Sequence, residues 1–207
     1  LIAPASEQDR AQMLEWFPGR FLIEGDRNDY DYIYAREKLA TLAGKKLHGK
    51  RNHIARFKDS GDWSYEPMTA ENIEECRTMT YTWIHMREEK WNEEMNQEIS
   101  VLHEAFDHMQ ELGLVGGVLR RDGQIVAFSI GERLNSETFV VHFEKAYPDL
   151  QGAYPMINQQ FVEHECMNYK YVNREDDTGA EGLRKAKLSY RPAFMVEKGD
   201  VTEKAQG

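Results

Sequence analysis

The stretch LVGGVLRRDGQIVAFSIGERLNSETFVVHFEKAYPDLQGAYPMINQQFVEHE, residues 114–165, decides the fold. Leu114–Arg121 and Gln124–Leu134 are apolar runs separated by Asp122-Gly123. Asp-Gly in that place is a hairpin signal, because both central residues of a type I′ turn need a positive φ. Leu134–Glu137 supplies a second turn into Thr138–Ala146, so three successive antiparallel strands are predicted. The period then changes. Pro155 suits the first turn of a helix, where its missing N–H costs nothing, and Ile157, Phe161 and Val162 line one side. Tyr169–Asn173 returns to strand. Strands that alternate with helices in this way indicate the α+β class, with a mixed, mostly antiparallel sheet flanked by helices.

Toward the N-terminus, Thr69 together with Asn72 opens a long helical region that runs to about Gly113. It reads as two helices that meet near Trp91-Asn92. Trp63–Met68 alternates as a strand. Gly44 breaks the pattern ahead of a basic helix in which Leu47, Ile54 and Phe57 share a face. Asn28 or Asp29 is expected to cap a helix in which Tyr30, Ile33, Tyr34 and Leu39 recur at helical spacing. Phe21–Glu24 reads as a short strand. Ser6 caps a helix from Glu7 to about Phe17, stopped by Pro18-Gly19, and the opening residues look like the end of a strand. With no methionine at position 1, this start suggests a chain that is part of something longer. Toward the C-terminus, Gly182–Tyr190 forms a short helix, Pro192 precedes a last strand, and residues after Gly199 are expected to fray.

A chain of 207 residues is long enough to bury a core without staples. Charged residues at 30% and the hydrophobic set at 41% fit a soluble globular protein, and an aromatic share of 11% argues against disorder. Cys76 and Cys166 are too few and too far apart for a disulfide framework or a zinc site, so both are read as reduced thiols lining the core. No apolar run approaches the length of a membrane span and no signal peptide opens the chain, which points to the cytoplasm. The chain is acidic, with a net charge of -10. Yet residues 44–58 gather Lys45, Lys46, Lys50, Arg51, Arg56 and Lys58 with His48 and His53, and no carboxylate lies between Glu37 and Asp59. A solvated helix face is one reading. A site for an anionic ligand is the other, since the i,i+4 pairs of opposite sign that stabilise an exposed helix are missing.

The order of strands and helices in the second half is that of an acyltransferase fold of the GNAT type. Three motifs are more specific: GKKLHGKRNHIARF at 44–57, GAYPMINQQFVE at 152–163, and YVNREDDTGAEGLRKAKLSYRP at 171–192. With them the chain resembles, from about Phe21 to Lys198, the family of bacterial proteins that carry the phosphatidylglycerol lysyltransferase C-terminal domain. That family belongs to the GNAT-like clan and is similar to the Fem-type aminoacyl transferases. Complete relatives carry two GNAT-like halves. The resemblance therefore implies that residues 1–36 are the remnant of a first half with its linker, and that 37–207 are a GNAT-like acyltransferase domain. The namesake enzyme couples its soluble domain to many membrane spans, and no such segment is found here.

The candidate site residues follow from chemistry and from the resemblance together. Gly152, Ala153 and Tyr154 lie between a strand and a helix start, where backbone N–H groups and the helix dipole hold phosphate. The resemblance implies a coenzyme A pyrophosphate loop at this position, of which Gln151-Gly152-Ala153 is a degenerate version; a tight turn that needs glycine is the alternative. By the period of two, Val140, His142 and Glu144 share one face of their strand, and Phe139, Val141, Phe143 and Lys145 the other. Glu144 is placed to accept a proton from an attacking amine through water, unless it pairs with Lys145 at the strand end. His142 reads as a core histidine. Asn173, Arg174, Glu175, Asp176 and Asp177 follow the next strand and are suited to a cationic acceptor, although a solvated loop in which Asp177 and Thr178 lead into the next helix has the same composition.

The resemblance implies that Tyr190 protonates the leaving group and that Arg184 and Lys187 lie near donor phosphates. A packed aromatic is the competing account of Tyr190. With Lys50, Arg51, His53 and Arg56 these cations would form a positive rim around an anionic donor, either an aminoacyl-tRNA or a coenzyme A derivative. The expected activity is transfer of an activated acyl or aminoacyl group onto an amine or hydroxyl, with no metal and no cofactor required. A non-catalytic module of the same fold, binding RNA or a nucleotide, is the second reading.

Overall fold

The computed structural model describes residues 2–87 and 93–204. In chain order it forms β1 (Ile2–Ser6), α1 (Glu7–Trp16), β2 (Phe21–Glu24), β3 (Asp31–Ala35), α2 (Arg36–Thr41) and α3 (His48–Asp59). Next come β4 (Trp63–Pro67), α4 (Ile73–His85), α5 (Glu93–Asp107), β5 (Val115–Arg121), β6 (Gln124–Arg133) and β7 (Thr138–Ala146). The chain closes with α6 (Ala153–Glu165), β8 (Tyr171–Asn173), α7 (Glu181–Ser189), β9 (Phe194–Val196) and β10 (Lys198–Glu203). The expected junction of two helices at Trp91-Asn92 lies outside the described residues. The elements divide into a central unit, Arg36–Val172, and a terminal unit made of Leu1–Ala35 with Asn173–Gly207.

In the central unit the Asp122-Gly123 turn forms as expected, with φ of 49° and 81°. β4, β5, β6 and β7 pair as consecutive antiparallel strands, and β8 follows β7 in the sheet order. The β7-to-β8 connection is made by α6, a crossover of the kind that a parallel pair requires. α4 and α5 cover one face of this sheet, burying Cys76, Met79, Trp83, Leu102 and Phe106 against Phe128, Ile130 and Phe143. α6 covers the other face, where Phe161 meets Phe139 edge-on at 5.8 Å between ring centres, and it also packs against α2 and α3. Both thiols are free and buried, and that burial pushes the Cys76 and Cys166 pKa values up to about 12.

One expectation for β7 fails at a bulge. Ile130 pairs with Phe143, but Gly131 pairs with Val141, which leaves His142 as an extra residue. An extra residue rotates the strand, so side chains on either side of it no longer keep a common period. Phe139 therefore points to α6 while Phe143 joins the core under α4 and α5.

The terminal unit corrects two further expectations. The residues predicted to form a helix from Asn28 or Asp29 instead make a 3-10 turn at Arg27–Asp29 and then β3. Tyr32, Ile33 and Tyr34 are all buried, as in a strand covered on both faces. Such a strand shows no alternation, and its apolar run imitates helical spacing. Residues 200–203, expected to fray, belong to a strand. β10 is the middle strand of a three-stranded sheet, antiparallel to β1 on one side and to β2 on the other. Val201 on β10 and Phe21 on β2 form its small apolar centre with Met13. β9 pairs antiparallel with β3. Among the described residues no helix is long and apolar enough to cross a membrane.

Candidate active site

Glu144 sits beyond the bulge of β7, on the face toward α6, and is half-buried. Asn158 on α6 donates from Nδ2 to Glu144 Oε2 at 2.9 Å. Across the sheet the residue opposite Glu144 is Ser129, whose hydroxyl is turned away to the Phe143 carbonyl at 3.0 Å. β8 meets β7 at its start, where the amides of Lys170 and Tyr171 donate to the Glu137 carbonyl at 2.9 and 3.0 Å. Glu144 is near the opposite end of the strand. Lys145 leaves the other face, so it does not pair with Glu144. Its ammonium bonds Glu98 at 2.6 Å and stands 4.2 Å from the centre of the Trp83 ring. Burial draws the Lys145 pKa down, against the pull of Glu98.

Gly152 caps α6 with φ of 88°, and a Cβ there would overlap the backbone carbonyl of His53. Both facts demand glycine. The same contact brings the α3 backbone to the N-terminus of α6, so two of the sequence motifs meet. The Ala153 amide is spent on the Leu150 carbonyl at 3.1 Å. Tyr154 accepts from the Trp83 indole N–H at 3.1 Å, and burial raises its pKa, so it stands as a neutral phenol. On α3, His53 and Arg56 are exposed and Lys50 is half-buried. Arg51 has a task within the fold: its guanidinium donates to the Leu42 carbonyl, and to that of Gly44 at 2.8 Å. Leu42 directly follows the last residue of α2, whose final carbonyls lack helical partners, and the Gly44 carbonyl also accepts the Leu47 amide at 3.3 Å.

In the terminal unit the loop after β8 is held from within. Asn173 is buried and donates to Asp31 at 2.9 Å, and its own Oδ1 accepts the Glu175 amide at 2.7 Å. Asp176 accepts the Thr178 amide at 3.0 Å. Lys187 is buried and donates to the Arg174 carbonyl at 2.6 Å and to that of Asp176. Arg184 grips Asp177 through two bonds of 2.9 and 2.7 Å and reaches Asn28 at 2.7 Å. Tyr190 is buried edge-on to Tyr34 at 6.5 Å, with the Arg174 guanidinium 5.0 Å from its ring centre. The two groups nominated for donor phosphates, Arg184 and Lys187, thus fasten the loop nominated for the acceptor.

Two polar residues stand out: Asp177, expected from the sequence to be one of the loop carboxylates, and Asn158, which the sequence reading passed over. Asp177 has no solvent exposure and accepts the Tyr32 hydroxyl at 2.5 Å as well as Arg184. The Arg184 guanidinium holds its carboxyl well below the usual carboxylate range, against burial, with Tyr32 and the Gly179 amide adding to the effect. Asn158 is 1% exposed. Its signal was available: it is a polar residue among the buried Met156, Ile157, Phe161 and Val162 of one helix. Among the described residues no cluster of His, Cys, Asp and Glu is placed to hold a metal ion.

Comparison with known proteins gives a family and close structural relatives. The description "Phosphatidylglycerol lysyltransferase, C-terminal" matches residues 2–198. A solved structure of a conserved protein of unknown function from Bacteroides thetaiotaomicron is 44% identical, with a TM-score of 0.90 over 96% of this chain and 68% of that one. The L-PGS of Bacillus licheniformis shares the fold at 15% identity, with a TM-score of 0.68 over 99% of this chain and 67% of that one. An uncharacterized protein of Mycoplasmoides gallisepticum is 25% identical over 190 residues, which are 89% of this chain and 60% of the relative's length. With the match running almost end to end over an α+β fold, the chain belongs to the family of the phosphatidylglycerol lysyltransferase C-terminal domain.

Proposed function

We propose that the chain is the catalytic domain of a transferase that moves an activated acyl group onto an amine or hydroxyl, the donor being an aminoacyl-tRNA or an acyl-coenzyme A. The observation that carries this reading is the family match over residues 2–198, whose description names a lysyltransferase. Glu144 supports it: a carboxylate on a sheet strand, oriented by Asn158, is suited to relay a proton. In the proposed step the nucleophile attacks the ester or thioester carbonyl carbon. A C–N or C–O bond forms, the bond to the donor's leaving oxygen or sulfur breaks with its electron pair, and the proton lost by the nucleophile passes through water to Glu144 and from there to the leaving atom. Fixed geometry and backbone donors supply the remainder of the barrier reduction. Lys50, His53 and Arg56 on α3 are proposed to meet the anionic donor.

Replacing Glu144 by Gln keeps an acceptor for Asn158 and removes the base. Steady-state kinetics should then show kcat lower by about 10²–10⁴-fold, the usual contribution of general base catalysis, with KM for the donor little changed. An unchanged kcat would strip Glu144 of the role.

A further inference from the structure

Tyr154 stands one turn before Asn158 on α6, and residues four apart are neighbours on one helix face. Asn158 bonds the Glu144 carboxylate at 2.9 Å, so Tyr154 belongs to the same corner of the molecule. The Trp83 indole N–H donates to the Tyr154 hydroxyl oxygen at 3.1 Å. An indole nitrogen is a donor only, so this bond uses a lone pair of the phenol and leaves the phenol's own hydrogen to be given elsewhere. The Ala146 amide adds a second donor near the same oxygen. Among the described residues no group accepts the hydrogen of that hydroxyl. Tyr154 and Glu144 are both half-buried, so neither side chain is sealed in the core. Trp83 is held in turn, with the Lys145 ammonium 4.2 Å and the Arg87 guanidinium 4.7 Å from its ring centre. Burial raises the pKa of the phenol, which therefore keeps its hydrogen at neutral pH. A phenylalanine would fill the same space. What the hydroxyl adds is an oriented neutral donor close to a carboxylate read as a base.

We propose that the Tyr154 hydroxyl donates a hydrogen bond to the oxyanion formed in the transfer step. This rests on the reading of Glu144 as the base of that step. When the nucleophile's electron pair forms the C–N or C–O bond, the π pair of the carbonyl moves onto its oxygen. Tyr154 shares its hydrogen with that oxygen and does not give it up. The pair then returns to carbon, the bond to the leaving oxygen or sulfur breaks with its electrons, and the proton held by Glu144 passes to the leaving atom. A donor already fixed by Trp83 needs no reorganisation as the charge develops.

The test is single-turnover transfer from labelled aminoacyl-tRNA and, separately, labelled acetyl-coenzyme A, each with a soluble bacterial extract as the source of acceptors. Three proteins are compared: the wild type, Tyr154→Phe, and a chain with 3-fluorotyrosine in place of Tyr154. Tyr154→Phe should lower the maximal rate constant by about 10²–10³-fold, the usual loss with one oxyanion donor, and leave the protein concentration for half-maximal rate unchanged. Fluorination makes the phenol more acidic at nearly constant size, so the fluorinated protein should transfer about twofold faster than the wild type. That second protein keeps an acceptor for the Trp83 N–H, so it carries the test if Tyr154→Phe does not fold. A hydroxyl that serves only Trp83 would instead lower the melting temperature in Tyr154→Phe and leave transfer alone. Undiminished transfer by folded Tyr154→Phe, or a fluorinated protein no faster than the wild type, would overturn the role of Tyr154 and leave the transferase reading in place. No transfer by the wild type from either donor would remove the transferase reading and this role with it.

Discussion

A carboxylate with no exposure to water persists at Asp177 because donors surround it: two guanidinium bonds from Arg184, the Tyr32 hydroxyl and the Gly179 amide. Its pKa is depressed in the folded state, so its contribution to stability is complete above the ordinary aspartate pKa of about 3.9 and is lost as the pH falls below it. Replacing Asp177 by Asn should cost on the order of 2 kcal/mol at neutral pH, the scale of a buried group left with mismatched partners. For a chain of this size that is roughly 5 °C in melting temperature. Melting curves across pH should show the gap between variant and wild type closing below about pH 4. A gap that is constant with pH would mean that the charge of Asp177 is immaterial. Lys145 makes the opposite case. Its buried ammonium is stabilised by Glu98 but penalised by desolvation, so Lys145→Met should change stability by less than about 1 kcal/mol in either direction. Denaturant titration reads this directly.

At the level of elements, the cations of the basic helix α3 differ in what they do within the fold. Arg51 ties α3 to the end of α2 through the Leu42 and Gly44 carbonyls, whereas Arg56 is exposed. Arg51→Ala should therefore lower the melting temperature, and Arg56→Ala should leave it alone. If α3 meets a polyanionic donor, Arg56→Ala should reduce the salt dependence of donor binding by roughly 0.7–0.9 in log–log slope, the value of one phosphate contact. The turn before α6 behaves likewise. Gly152→Val should destabilise strongly, because a β-branched residue meets both a left-handed φ and the His53 carbonyl. These two elements also show where local sequence suffices. The apolar face of α3, the Asp-Gly hairpin and the start of α6 near Pro155 all rest on short-range rules and were legible. β3 was not, because a fully buried strand loses the alternation that marks it. The β7 bulge was not, because no residue type announces which register a partner strand will take. Glu144 could be nominated from its strand, but the Asn158 bond that orients it joins two elements and is invisible to a one-dimensional pattern.

Across the whole molecule, the α+β class was readable because one contiguous stretch, residues 114–165, carries three strands and a helix by local signals. The three-stranded sheet of the terminal unit was not. β10 pairs with β2, joining Glu203 to Phe21 across most of the chain's length, and nothing near Glu203 specifies so distant a partner. Family membership comes from motifs spread over the same range that the match covers, and it names a reaction style more firmly than a substrate. The proposal that this fold transfers an acyl group is tested most directly by single-turnover transfer with protein in excess over donor. The donors are a mixed pool of radiolabelled aminoacyl-tRNA and, separately, labelled acetyl-coenzyme A, each with a soluble bacterial extract as the source of acceptors. The account predicts that label leaves one of these donors and appears in an amide or ester product faster than in the absence of protein, and that Glu144→Gln slows this by at least a hundredfold. Label released from neither donor faster than in the protein-free control would contradict it.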